Sequence, residues 1–264
     1  MAVQFYTIPA HENITITSAT STATGYDKQA VVDGNLDNVW KPTSTGSPPV
    51  VSSQNIFIDL GSAQTIDGKG IWLSNYDTNF SSMPIYLYGS SNGSDWTYYP
   101  PSLYPTNGEP LSYSESTTSV SLQYWYFKMG TPVPAVPQVG QIFLLRKREV
   151  STAANYPFGN AVEYQNNEGT GGGRKYVNPE YTTAIQRLNR NYVFPLTANK
   201  TALENAFNDS GGGVRMLILK EPTEDAKLVR FSDDTLNIST KDYEYYEAGI
   251  KFETIPYIPA GETY

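Results

Sequence analysis

Ala30-Val31-Val32-Asp33-Gly34-Asn35-Leu36-Asp37-Asn38-Val39-Trp40 decides how the first half of this chain is read. Three apolar residues lead into Asp33-Gly34, where a short carboxylate side chain closes its own turn and glycine tolerates the tight backbone. The stretch ends on Trp40, a side chain large enough to anchor the turn in a core. Moving outward, three more stretches follow in order: Ile56-Phe57-Ile58-Asp59-Leu60-Gly61, Tyr86-Leu87-Tyr88-Gly89-Ser90-Ser91-Asn92-Gly93-Ser94-Asp95-Trp96, and Trp125-Tyr126-Phe127-Lys128-Met129. They alternate with period 2, as do Gly70-Ile71-Trp72-Leu73-Ser74 and Gln141-Ile142-Phe143-Leu144-Leu145, and are bounded by Gly, Pro, Asn and Ser clusters. Asn92-Gly93 is a hairpin signal, because both residues accept positive φ. Strands this short at this turn spacing predict an eight-stranded antiparallel sandwich. Long loops are expected at residues 41–55, 74–83, 100–116 and 130–139, and such loops on a rigid sandwich are where binding residues sit.

The composition agrees with an all-β protein. Of 264 residues, 17% are charged and 39% hydrophobic, with 21 Tyr, 21 Gly and 18 Pro, a mix that favours twisted sheets over long helices. The length allows two domains, each able to bury a core. Net charge is −8, and no basic patch breaks it, so nucleic acid is not an expected partner. The chain has no cysteine, which excludes disulfides and thiol chemistry and points to synthesis in a reducing compartment. Met1-Ala2-Val3-Gln4-Phe5-Tyr6 lacks a basic start and an apolar run, and no stretch approaches the ~20 apolar residues of a membrane span. The expectation is folding in a cytoplasm without membrane insertion, or exit by a route that needs no cleaved signal.

Enzyme chemistry lacks its parts. His11 is the only histidine, so a Cys-His pair is impossible and a Ser-His-Asp triad would have to use the N-terminal arm. A zinc site needs several thiolate or imidazole ligands. Glu224-Asp225 and Asp233-Asp234 sit in hydrophilic turns, where solvated charge is the ordinary reading. The Gly-rich run at residues 165–175 lacks the Gly-Lys-Ser/Thr of a phosphate loop and reads as a flexible loop. No catalytic residues are expected.

The order of the four opening stretches resembles the discoidin family, also called coagulation factor 5/8 type C. Its pattern runs from an Ala-x-Asp-Gly turn ending in Trp, through an Ile-x-Ile-Asp-Leu-Gly strand and a Ser-x-Asp-Gly-x-x-Trp hairpin, to an Arg-Tyr-Val-Arg-Ile strand. The resemblance covers roughly residues 14–150 and implies a jelly-roll sandwich that binds without catalysing. It places Trp40 and Trp96 in core or hairpin packing. In bacterial carbohydrate-binding relatives a structural calcium is often held by the Asp-Gly turn and an acidic residue on the final strand. By that resemblance the Ca²⁺ ligands here would be the Ala30 carbonyl, Asp33, Asn35, Asn38 and Glu149. Asn35 replaces a frequent Asp, and Asn38 stands where Thr is usual. Ca²⁺ accepts carboxylate, amide and carbonyl oxygens alike, and Asp33 equally fits a purely structural turn.

For sugar binding, the loop aromatics Tyr76 and Phe80, with Tyr26, Asn75 and Asp77, are the candidates. A ring would stack on a pyranose face while amides and carboxylates take the hydroxyls. The competing expectation is that these aromatics fold back onto the sandwich or onto a partner subunit. The arginine that often binds sugar in the family has no clear counterpart, since Arg146 and Arg148 are the only arginines before residue 151.

A boundary is expected after residue 150, giving a sandwich with a short N-terminal arm at residues 1–150 and a smaller β-rich domain at 151–264. In the latter, strands are expected near residues 191–196, 214–220, 227–231 and 247–253. One helix is expected near residues 200–209, where Thr201 and Glu204 have capping-box spacing and Leu203, Ala206 and Phe207 share a face. Gly211-Gly212-Gly213 would stop it, and residues 256–260 would form an extended arm. This order is similar to a small domain of phage tail proteins near the tail tip. That resemblance implies a structural protein of a tailed bacteriophage virion, made in the host cytoplasm, forming a ring-like homo-oligomer with other tail proteins as partners. Its sandwich would serve subunit contacts or attachment to cell-surface glycans. The alternative is a bacterial carbohydrate-binding or adhesion protein, at the cell surface or outside the cell.

Overall fold

The structure, a computed structural model, describes residues 2–8, 14–44, 53–76, 78, 80–131, 135–152, 161–165, 168–171, 174–177, 185–195, 197–212, 215–222, 224–242 and 245–254. In chain order the strands are β1 (Ala2–Thr7), β2 (Thr15–Ala19), β3 (Gln54–Leu73), β4 (Ile85–Ser90), β5 (Thr97–Leu103), β6 (Leu111–Met129), β7 (Val139–Ser151), β8 (Ala161–Gln165), β9 (Glu168–Gly171), β10 (Arg174–Val177), β11 (Ile185–Pro195), β12 (Leu217–Lys220), β13 (Lys227–Phe231), β14 (Ile238–Asp242) and β15 (Tyr245–Thr254). A 3-10 helix spans Lys28–Val32, and α1 (Thr197–Asp209) follows β11. The protein is mainly β, as its composition predicts. The chain divides into two compact units, one built on Ile8–Lys147 and the other on Met1–Thr7 with Arg148–Ile258. The expected N-terminal arm of the first domain is thus a strand of the second unit, where Phe5 pairs with Leu219.

In the Ile8–Lys147 unit the antiparallel order is β5-β4-β6-β3-β7, with β2 also on β3. The expected strands at Ile56 and Ile71 are one continuous 20-residue strand, β3, bent at Gly61, where φ is +72° and the Asp59 carboxylate accepts the Gly61 amide at 2.8 Å. Register with β6 slips across this bend, between Asp59 and Gln64. Among the described residues the strand count is lower than eight, because long strands run where shorter ones were expected. Most of the expected loop at residues 100–116 is likewise strand, belonging to β5 and β6.

Alternate residues of these strands face inward. Ile56, Ile58, Ile71, Leu87, Trp125, Phe127, Phe143 and Leu145 are buried with Trp40. The outward row carries its own aromatic ladder. Tyr88 stacks on its cross-strand partner Tyr126 at 4.5 Å, and Phe57, Trp96 and Tyr98 extend the row. Such pairs each add roughly 0.2–1 kcal/mol to a sheet. Trp96 serves this hairpin packing, as the resemblance implies. The hairpin tip is held by Asn92, whose side-chain oxygen accepts the Ser94 and Asp95 amides at 2.9 Å.

In the other unit the order is β1-β12-β13-β15-β11-β8, with β14 also on β15. Its core gathers Phe5, Tyr192, Phe194, Leu203, Ala206, Val229, Phe231, Ile250 and Phe252. The helix begins four residues earlier than the capping-box spacing predicts, so Thr201 lies inside it and exposed. Leu203 and Ala206 are buried, and Phe207 meets Phe231 edge-on at 5.1 Å, so the predicted face is the packed one. Gly211 and Gly212, both at positive φ, end it by donating to the Asn208 and Phe207 carbonyls. The Gly-rich run expected to be a flexible loop contains the antiparallel hairpin β9–β10. The expected C-terminal arm and His11 lie outside the described residues.

Candidate functional site

The loops at one end of the sandwich are joined by backbone bonds. Trp40 and Val139 exchange two hydrogen bonds at 2.9 Å, and Trp40 donates its indole N–H to Thr22 Oγ1 at 3.1 Å. Ser74 N–H donates to the Gln138 carbonyl at 2.8 Å. Ala23 N–H donates to the Lys41 carbonyl at 2.8 Å. The segments around residues 23–41, 74–76 and 136–139 thus form one connected rim, on which the sugar-site candidates are placed as follows.

Asn75 bridges two of these segments. Its side-chain amide donates to the Val136 carbonyl at 3.1 Å and its oxygen accepts the Gln138 amide at 2.9 Å. Both ends of the side chain are therefore spent on holding the loop, which makes Asn75 a positioning residue. Tyr76 follows it, half-buried. Tyr26 is also half-buried, and the Lys41 ammonium lies 5.6 Å from its ring centroid, a cation–π distance. Phe80 differs from expectation: it is 1% exposed and belongs to the core, beside a turn in which Met83 N–H donates to the Phe80 carbonyl. It offers no face to a ligand. Asp77 lies outside the described residues. Lys41 is a rim residue that sequence reasoning missed, and only its position just after Trp40 could have flagged it.

The turn residues expected to bind calcium hydrogen-bond to one another. Asp33 accepts the Asn35 amide at 2.8 Å with one oxygen and the Asn38 side-chain N–H at 2.7 Å with the other. Asn35 turns its own oxygen to the Asp37 amide at 3.1 Å. The Ala30 carbonyl accepts the Asp33 amide at 3.5 Å. Glu149 belongs to the other unit, where Gln4 donates to it at 3.4 Å. Asp33 is left as the one carboxylate among the turn ligands, and among the described residues no three His, Cys, Asp or Glu side chains come together. Ca²⁺ at this turn would have to draw Asp33, Asn35 and Asn38 away from these mutual bonds.

The turn is fixed by a neutral group instead. Gln141, fully buried on β7, accepts the Gly34 amide at 3.2 Å and donates to the Ile142 carbonyl at 3.3 Å. Its neighbour Gly140 lies so close to the turn that a Cβ there would stand 2.7 Å from the Leu36 carbonyl oxygen. A polar residue inside the apolar run Gly140-Gln141-Ile142-Phe143-Leu144-Leu145 was the available sequence signal for this anchor.

Comparison with known proteins bears on this unit. The F5/8 type C domain family matches residues 15–133. Among solved structures, a family 32 carbohydrate-binding module from C. perfringens NanJ, in complex with galactose, is 15% identical, covering 53% of this chain and 99% of its own, with a TM-score of 0.44. The C-terminal domain of a chitobiase from Bacteroides fragilis is 16% identical over 54% of this chain and 98% of its own, with a TM-score of 0.45. The comparison with curated proteins returns no match. With the family's turn, strand and hairpin each found in its described place, residues 15–133 of this chain are an F5/8 type C, or discoidin, domain.

Proposed function

We propose that the F5/8 type C domain of this chain is a non-catalytic carbohydrate-binding module, acting outside the cell or at a cell surface. The observation that carries this reading is the family match at residues 15–133, over a rim where Tyr26 and Tyr76 stand half-buried and Asn75 braces the loop of Tyr76. A phenol ring on a braced loop loses little freedom on binding and gives a sugar both a stacking face and a hydroxyl partner. The family match ends at residue 133, so the tail-protein reading of residues 151–264 rests on element order alone and has no observation in its favour.

The test is calorimetric titration of the full chain with galactose, N-acetylgalactosamine and a mannuronate oligosaccharide. At least one is expected to bind, and Tyr76→Ala and Tyr26→Ala are each expected to weaken it about tenfold with melting temperature unchanged. Absence of binding to every sugar in the series, or binding that neither substitution touches, would refute the proposal.

A further inference from the structure

A second polar concavity lies in the other unit, on the outward face of its sheet. Opposite residues of antiparallel strands share a face. Asn191 of β11 faces Gly249 of β15, and Glu247 of β15 faces Ser239 of β14. The residues between them, Tyr192 and Ala248, point the other way into the core. Along β15 the neighbouring strand is interrupted: β13 ends where Phe231 meets Phe252, and β14 begins where Ile238 meets Ala248. At this break opens a cleft of about 540 Å³ lined by Asn191, Asn237, Ile238, Ser239, Glu247 and Gly249. That volume lies within the range of small-molecule sites, roughly 300–1,000 Å³.

The lining selects the ligand chemistry. Two carboxamides and a hydroxyl each donate and accept, matching groups that do the same. The carboxylate of Glu247 adds acceptors and is already oriented by the Asn191 side-chain N–H. Among the described side chains no cation lines the cleft, which disfavours phosphate, sulfate or carboxylate ligands, and a lone carboxylate does not make a divalent-metal site. Ile238, packed against the core behind it, supplies an apolar wall. Gly249 keeps the floor open, since a Cβ there would meet nothing within 4 Å.

We infer that this cleft binds a neutral sugar through its hydroxyl groups, as a site separate from the F5/8 type C domain. With two sugar sites on one chain, attachment to a multivalent glycan surface gains from avidity.

The experiment is NMR of the Asn side-chain amides of the full chain during titration with galactose, N-acetylgalactosamine, glucose and mannose. At least one sugar is expected to shift the Asn191 and Asn237 amides. Gly249→Leu, whose Cβ would meet nothing within 4 Å, is expected to abolish those shifts and weaken that binding about tenfold. If Gly249→Leu perturbs folding, Asn237→Ala serves as the second variant, with the same expected loss. Silence of both amides toward all four sugars, or shifts that survive these substitutions in a folded protein, would overturn the inference. Because the readout is local to these amides, failure here leaves the rim of the F5/8 type C domain untested and is distinguishable from failure there.

Discussion

The side-chain oxygen of Gln141 accepts the Gly34 amide at 3.2 Å, so a buried neutral amide ties the Asp33–Gly34 turn to β7. Removing the side chain breaks a part-buried bond to Gly34 and a buried one to Ile142, at a cost of roughly 1–3 kcal/mol in total. Gln141→Ala is expected to lower the unfolding free energy in urea by that amount, whereas adding Ca²⁺ or a chelator to the wild type leaves its melting temperature unchanged. A chelator-induced drop in melting temperature would show that the turn holds a cation after all.

Close approach makes the neighbouring position equally sensitive. An added methyl at Gly140 meets the Leu36 carbonyl at 2.7 Å and the Trp72 ring at 3.0 Å, and the first of these is backbone that cannot swing aside. Gly140→Ala is expected to destabilise the sandwich by about 1–3 kcal/mol. Urea unfolding with an unchanged midpoint would contradict the packing described.

Lys69 sets a pH dependence. Its side chain is 0% exposed and donates to the Tyr99 carbonyl at 3.3 Å and to the Pro101 carbonyl, with burial pushing its pKa from 10.5 down to about 8. Between about pH 8 and 10.5 the unfolded chain holds this proton and the folded one does not. Stability contributed by this group therefore rises with pH across that window, by at most roughly 3 kcal/mol. Lys69→Met is expected to flatten that rise. Equal slopes for wild type and variant between those pH values would remove Lys69 as the cause.

A buried ion network holds the other unit. Arg190 makes two bonds to Glu221, at 3.0 and 2.9 Å, and Tyr192 donates to the same carboxylate at 3.0 Å. Glu221→Ala leaves the buried Arg190 guanidinium with only the Glu224 carboxylate, 3.2 Å away, and is expected to cost about 3 kcal/mol. Replacing both members, Arg190→Met with Glu221→Leu, is expected to recover most of it. A double variant as unstable as the single one would mean the charges are needed as such.

Local chemistry explains what was legible beforehand. The Asn92-Gly93 tip, the Gly211-Gly212 helix stop and the burial of Trp40 each announce themselves within a few residues, because turn geometry and side-chain size act locally. Gln54–Leu73 misleads because Gly61-Ser62-Ala63 looks like the end of a strand while the ladder continues through it. Phe80 sits among Asn79, Ser81 and Ser82, so its polar neighbours hide a ring that turns inward. Asn75 reads as a ligand for sugar, yet its amide is consumed by Val136 and Gln138, partners sixty or more positions away. The place of Ala2–Thr7 depends on β7 and Leu217–Lys220, partners more than a hundred positions away, and no local signal reports that.

That distant pairing also dictates a sequence of events during synthesis. The residues of the sandwich, Ile8–Lys147, leave the ribosome as one uninterrupted run, so all of its ladder partners are present before the second half exists. Ala2–Thr7 has β7 beside it as well as Leu217–Lys220, and its ladder with the latter waits for the second half of the chain. Domains tend to fold as units while the chain is made. Ala2–Thr7 thus completes its pairing only after every residue of the discoidin domain has been made.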